Sequence, residues 1–195
     1  MRFVLATLNP DKLRELLALL PPDLAEFSGL GEFEGAVPPP EDGETLEENA
    51  LAKAQAAVAF TGLPAIADDT GLEVAALGGE PGVRSARYAG EGAGYEANVR
   101  KLLLRMAGVE PARRSARFRT VCVACFPGRA PIVAEGVLEG RITTEPRGTG
   151  GFGYDAVFEV AATGRTLAEL PFEVKNALSH RAVAVANLVR LLREA

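Results

Sequence analysis

The stretch that most constrains this chain runs from Leu63 to Gly79, where a short apolar run stops at two adjacent carboxylates. Pro64, Ala65, Ile66 and Ala67 read as a buried strand bounded by Gly62-Leu63-Pro64. Asp68 and Asp69 stand at its carboxyl end. In a sheet covered by helices, that edge is where side chains and loop backbone open toward ligands. Neighbouring strand residues point to opposite faces, so the two carboxylates are expected to take different jobs. Asp, Thr and Gly are also ordinary turn formers, and Asp68-Asp69-Thr70-Gly71 read alone is equally a turn.

A chain of 195 residues fits one domain, or one domain of two lobes. Its net charge of -5 argues against a protein that coats nucleic-acid polymers, which needs a cationic face to displace counterions. Arginine takes 17 of the 21 basic positions, so most positive charge is planar, always ionised and suited to phosphate or carbonyl recognition. The apolar opening Phe3-Val4-Leu5-Ala6 is too short for a secretory signal, and no 18-residue uncharged run is present. A cytoplasmic protein with no membrane partner is expected. Cys122 and Cys125 form a C-x-x-C inside a strand-like run, where an odd separation sends their side chains to opposite faces. Such a pair cannot bridge, and one histidine in the chain leaves few partners for zinc.

Arg2 to Ala6 reads as a first strand, and Leu13, Leu16, Leu17 and Leu20 recur at helical spacing. Asn9 is the natural N-cap and Pro10 the natural first helical residue. The turn from Thr7 to Lys12 therefore sets backbone N–H groups, a hydroxyl, an amide and a lysine at a positive helix end, which suits a phosphate. A plain capped turn uses the same residues. Pro38 to Glu44 reads as a loop, and Thr45 with Glu48 makes a capping box for a helix running to about Phe60 and closing at Gly62. Glu41, or Glu47 and Glu48 in the first turn, can offer a metal one further oxygen, although acids there also simply complement the helix dipole.

After the Asp pair, Leu72 to Leu77 reads as another strand, Tyr95 to Met106 as a helix, and Ala116 to Phe126 with Ile132 to Leu138 as a hairpin around Pro127-Gly128. Gly148, Gly150 and Gly153 satisfy G-x-G-x-x-G, but a dinucleotide fingerprint follows a strand and opens a helix. Here Pro146 precedes the glycines and a strand-like Tyr154 to Phe158 follows, so the glycines are read as letting backbone approach a ligand. Phe152 or Tyr154 would offer a ring face to a base. Ser179 can cap a last helix whose Ala184, Leu188, Leu191 and Leu192 share a face. Lys175, His180 and Arg181 crowd its start, where cations oppose the dipole, so something anionic or carbonyl-rich is expected to hold them.

Six ordered blocks then stand out: A-T-x-N-x-x-K at Ala6 to Lys12, E-N-A at Glu48 to Ala50, A-D-D-T-G-L at Ala67 to Leu72, P-G-x-x-S-A-R-Y at Pro81 to Tyr88, G-T-G-G-F-G-Y-D at Gly148 to Asp155, and K-N-A-x-S-H-R-A at Lys175 to Ala182. Together they resemble the inosine/xanthosine triphosphate pyrophosphatases, which remove non-standard purine nucleotides. Leu8, Thr70 and Ala156 depart from the residues common in that family, which are glycine, serine and proline.

The resemblance implies an α/β fold with a long mixed sheet flanked by helices, two lobes around a central nucleotide cleft in one domain over 1–195, and a homodimer. It implies triphosphate contacts from Thr7, Asn9 and Lys12, a catalytic carboxylate and metal ligand in Asp69, a second metal acid in Glu41, and assistance from Asp68. Thr70 retains the hydroxyl of a substrate-binding serine, while Phe152, Gly153, Tyr154 and Asp155, with Lys175, His180 and Arg181, would hold the nucleoside. Arg181, with His180 beside it, is expected at the purine 6-oxygen, because a guanidinium has only donors. The implied partner is a purine nucleoside triphosphate (ITP, dITP or XTP), the cofactor Mg²⁺, and the products the monophosphate and pyrophosphate. The alternatives are a pyrophosphatase of the same fold for modified pyrimidine or standard triphosphates, and a non-catalytic nucleotide sensor.

Overall fold

The computed structural model describes residues 1–38 and 41–195. Pro39 and Pro40 of the expected loop lie outside the described residues. Strand β1 (Arg2–Leu5) leads into helix α1 (Pro10–Leu19), which Asn9 caps, and β2 (Glu26–Gly29) follows. Helix α2 (Leu46–Thr61) starts at the Thr45 cap and ends at Gly62 in the left-handed conformation, a backbone state that glycine adopts without a Cβ penalty.

Strand β3 (Ala65–Val74) runs straight through Asp68, Asp69, Thr70 and Gly71. This overturns the turn reading and merges two expected strands into one. Aspartate disfavours strands when its carboxylate competes for nearby backbone N–H groups. Both carboxylates are instead bonded to cationic side chains of distant elements.

Beyond it lie β4 (Pro81–Gly82), α3 (Tyr95–Arg105), the hairpin of β5 (Ser115–Phe126) and β6 (Arg129–Ile142), β7 (Phe158–Val160), α4 (Phe172–Leu178) and α5 (His180–Glu194). Tyr154 to Val157, expected as strand, form turns closed by Val157 N–H to Tyr154 O and Phe158 N–H to Tyr154 O, both 3.0 Å. No helix follows the glycines, as their context required. Hydrogen-bonded neighbours in the sheet follow the order β2-β1-β3-β5-β6-β7, with β4 on β3. β1 is parallel to β2 and β3, whereas β3–β4 and β6–β7 are antiparallel, so the sheet is mixed.

The chain divides into two compact units, and β3, β5 and β6 each contribute residues to both. Unit 1 comprises Met1–Asp69, Thr120–Gly136 and His180–Ala195. Its core joins Phe3, Leu5, Leu16, Ile66, Cys122, Ala184 and Leu188. Each fully buried leucine there contributes roughly 1.5–3 kcal/mol. Unit 2 comprises Thr70–Arg119 and Val137–Ser179, with its own core of Leu72, Leu102, Met106, Phe118, Tyr154 and Phe158. Cys122 and Cys125 are buried free thiols in β5. No helix among the described residues is long and apolar enough to cross a membrane.

Candidate active site

In unit 1, the turn between β1 and α1 is built as its residues require. Asn9 Oδ1 accepts from the backbone N–H groups of Asp11 and Lys12, at 2.9 and 3.3 Å, and Thr7 Oγ1 accepts from Asn9 N–H at 3.1 Å. The cap thus takes up first-turn donors that the sequence offered to a phosphate. Lys12 reaches across to β3, its Nζ lying 3.4 Å from Asp68 Oδ2.

The two aspartates of β3 hold different partners, as alternation along a strand requires. Asp68 Oδ2 accepts from Arg181 Nε at 3.2 Å and Nη2 at 3.0 Å. Arg181 Nη1 donates to Glu15 Oε2 of α1, so buried Glu15, Arg181 and Asp68, with partly exposed Lys12, form one chain of alternating charge. Burial by itself would raise the Asp68 carboxyl, but Lys12, Arg181 and Lys53 outweigh it and hold that carboxyl far below the usual carboxylate range. Asp69 faces α2. Its Oδ1 accepts from Lys53 Nζ at 2.7 Å and its Oδ2 from Asn49 Nδ2 at 3.2 Å. Lys53 Nζ also donates to Glu41 Oε1 at 2.9 Å. Desolvation would lower the Lys53 ammonium, and Asp69, Asp68 and Glu41 together raise it instead.

Arg181, expected at a purine oxygen, is only 2% exposed, and its guanidinium meets Asp68 and Glu15. The anions that face Arg181 are thus carboxylates of the chain itself. His180, at the first position of α5, has its Nδ1 2.6 Å from Thr120 Oγ1.

In unit 2, Asp155 Oδ2 accepts from Phe152 N–H at 2.8 Å and from Lys175 Nζ, whose ammonium also lies 4.8 Å from the centroid of the Phe152 ring. Gly151 suits this turn, with φ at +69° and a Cβ there falling 2.0 Å from Asp155 Oδ2, so a larger residue would have to displace that carboxylate. Phe152, Gly153 and Asp155 line a cavity of about 610 Å³ with Tyr95, Arg100 and Gly148. Tyr154 does not. Its ring belongs to the unit 2 core and its hydroxyl donates to Ser85 O at 2.9 Å, so Phe152 alone of the two has its ring on the cavity. Thr70 is partly exposed in β3.

The donor set around Lys53 suits a hard divalent cation. Glu41 and Asp69 already bring two carboxylate oxygens onto one positive charge of the chain. Among the described residues no group of three or more His, Cys, Asp or Glu forms an all-protein cage. Mg²⁺ fits that pattern, since it usually takes one or two carboxylates and completes its shell with water and substrate phosphates.

Sequence reasoning missed Lys53 and Glu15. A signal for Lys53 existed, because 21 basic residues less 17 arginines leave four lysines, and Lys12, Lys53 and Lys175 of these are bonded to aspartates. Glu15 carried none, since its partner lies in the last helix.

The Ham1 family profile matches residues 3–191. The chain is 51% identical over 187 residues to a dITP/XTP pyrophosphatase of Geobacter sulfurreducens, covering 96% of this chain and 94% of that one. A HAM1 protein from Coxiella burnetii superposes with a TM-score of 0.89 at 43% identity, covering 100% of both chains. The Staphylococcus aureus Ham1 protein gives 0.88 at 38% identity, covering 100% of this chain and 99% of that one. An end-to-end match of this kind, in sequence and in fold, leaves one assignment: the chain belongs to the Ham1 family.

Proposed function

We propose that this protein hydrolyses non-standard purine nucleoside triphosphates (ITP, dITP and XTP) to the monophosphate and pyrophosphate, clearing them from the nucleotide pool. The observation that carries the reading is the convergence of Lys12 and Lys53 on the adjacent strand carboxylates Asp68 and Asp69, next to the capped Thr7–Lys12 turn. That unit 1 cluster supplies both things such a reaction needs, cations for phosphate oxygens and a carboxylate for water.

Thr7, Asn9, Lys12 and Lys53 bind the phosphates, and Thr70 adds a hydroxyl. Asp69 orients the water that attacks the α-phosphorus and accepts its proton, while pyrophosphate leaves. Its placement depends on Asn49 and Lys53, which hold one oxygen each. Asp68 fixes Lys12 and Arg181. Mg²⁺, held by Asp69 and Glu41, would neutralise charge on the phosphates. Phe152 takes the base face, Gly153 lets backbone approach it, and Asp155, Lys175 and His180 supply hydrogen-bonding partners to the nucleoside.

The protein is further read as a cytoplasmic homodimer, and two free buried thiols suit a reducing compartment. Pyrophosphate release from ITP, XTP, GTP and dTTP, measured side by side with Mg²⁺, tests the function. Turnover of ITP and XTP well above the others is expected. Preference for dTTP or GTP would move the protein to a different substrate class, and binding without turnover would make it a sensor.

A further inference from the structure

Unit 2 holds a group of arginines that the proposed reaction does not use. Arg114, Arg141 and Arg147 line a cavity of about 260 Å³ together with Thr144, Glu145 and Glu159. Arg114 is only 5% exposed, and backbone surrounds its guanidinium. Its Nε donates to Ile142 O at 2.7 Å, its Nη1 to Met106 O at 2.9 Å and Val109 O at 3.3 Å, and its Nη2 to Thr143 O at 2.7 Å. A guanidinium carries five N–H groups and stays ionised. One donor is thus left over, and carbonyls bring no net charge to balance the cation. Burial pulls Arg114 below the ordinary arginine value, and no acid opposes that effect.

Arg141 in β6 and Arg147 flank Glu159 of β7, and each gives that carboxylate one N–H. Arg147 Nε is buried with no acceptor among the described residues. Glu169 Oε2 lies 3.7 Å from it, beyond hydrogen-bond reach, and Glu169 also answers the charge of Arg165. Three guanidiniums against Glu145 and Glu159 leave the lining one positive charge in excess.

Buried donors in folded proteins have partners, and buried charges are paired. We propose that this cavity binds a small inorganic oxyanion of the phosphate class, held by Arg114, Arg141 and Arg147. Guanidinium forks present their N–H groups in the geometry that phosphate oxygens accept. Glu159 takes one N–H from each of two forks, and the rest of those forks serve the ion. The cavity is smaller than the roughly 300–1,000 Å³ of clefts that enclose drug-sized molecules, so the ion enters without a nucleoside attached. Nothing in this site depends on the reaction proposed for unit 1.

Isothermal titration of the full-length protein with inorganic phosphate, at an ionic strength held constant with sodium chloride, tests the site. Saturable binding is expected in the wild type and in Lys12→Ala, whose lost cation belongs to unit 1. Arg141→Gln should weaken it about tenfold or more, the loss of a charge-assisted hydrogen bond. The Arg141 side chain is 56% exposed, so this variant keeps the fold, which circular dichroism checks. In arginine side-chain ¹H–¹⁵N spectra, with Arg147→Lys identifying the signal, the Arg147 Nε–H resonance should move along the same saturation curve. IMP should bind equally well to the wild type and to Arg141→Gln. No saturable binding in the wild type overturns the proposal. Binding that survives Arg141→Gln, or that vanishes in Lys12→Ala, places the ion elsewhere and overturns it as well. Weaker IMP binding in Arg141→Gln would make the ligand a nucleotide and overturn its assignment as a free ion.

Discussion

Lys53 Nζ lies 2.7 Å from Asp69 Oδ1, and both side chains are more than nine-tenths buried. Removing the lysine leaves the Asp69 carboxylate buried without its ammonium partner. Lys53→Met should therefore lower unfolding stability by about 3–5 kcal/mol, the usual cost of breaking a buried ion pair from one side. Urea titration followed by circular dichroism measures this. A loss under about 1 kcal/mol, the range of exposed pairs, would mean that water reaches the pair.

Asp69→Asn keeps shape and hydrogen-bonding reach but loses the charge. Folding and nucleotide binding should survive while turnover of ITP falls about 10²- to 10⁴-fold, the loss typical of one well-placed acid or base. EDTA should abolish wild-type turnover and Mg²⁺ restore it. Near-normal rates in the purified mutant would remove the catalytic role, and full activity in EDTA would remove the metal assigned to Glu41 and Asp69.

Arg181 bridges Glu15 and Asp68, so the three form a coupled set. Glu15→Ala and Arg181→Met should each destabilise strongly. In the double mutant the losses should not add, with a coupling of about 0.5–3 kcal/mol as expected of residues in one network. A double-mutant cycle by denaturant titration reads this directly, and strict additivity would show that the buried contact has no energetic weight.

Glu159 in unit 2 accepts from Arg141 Nε at 2.6 Å and from Arg147. The Arg141 hydrogen bond, with that of Arg147, holds its carboxyl below the ordinary glutamate value against the opposing effect of burial. Because the folded value is depressed, this contribution is complete above about pH 4.3, the unfolded value, and disappears as pH falls through the folded one. Stability of the wild type relative to Glu159→Gln should thus be constant near neutrality and shrink below about pH 4. A difference that persists unchanged at acid pH would contradict the shift.

Features closed by neighbouring residues were legible in the sequence. Asn9 and Pro10 mark the start of α1, and Thr45 and Gly62 bracket α2, because cap bonds span three or four residues. The continuity of β3 was not legible, since what keeps two aspartates in a strand is Lys12, Lys53 and Arg181, each remote in sequence. Helix α4 was missed for a related reason, as two turns are too short to display a period. Glu41 and Asp69 were expected to share a metal cation, and Lys53, remote from both in sequence, is the cation that bridges them.

Unit 1 is assembled from segments far apart in the sequence, with Arg181 and Leu188 of α5 completing a charge cluster and a core begun by β1 and α1. A ribosome making this chain delivers Glu15 and Asp68 long before their arginine. Until residues 180–195 emerge, the nascent chain carries buried-to-be carboxylates without their counter-charge and an apolar sheet face without its helix. Unit 1 is therefore the part that can close only once α5 has been made, and the interval before α5 arrives is when the chain most needs protection from aggregation.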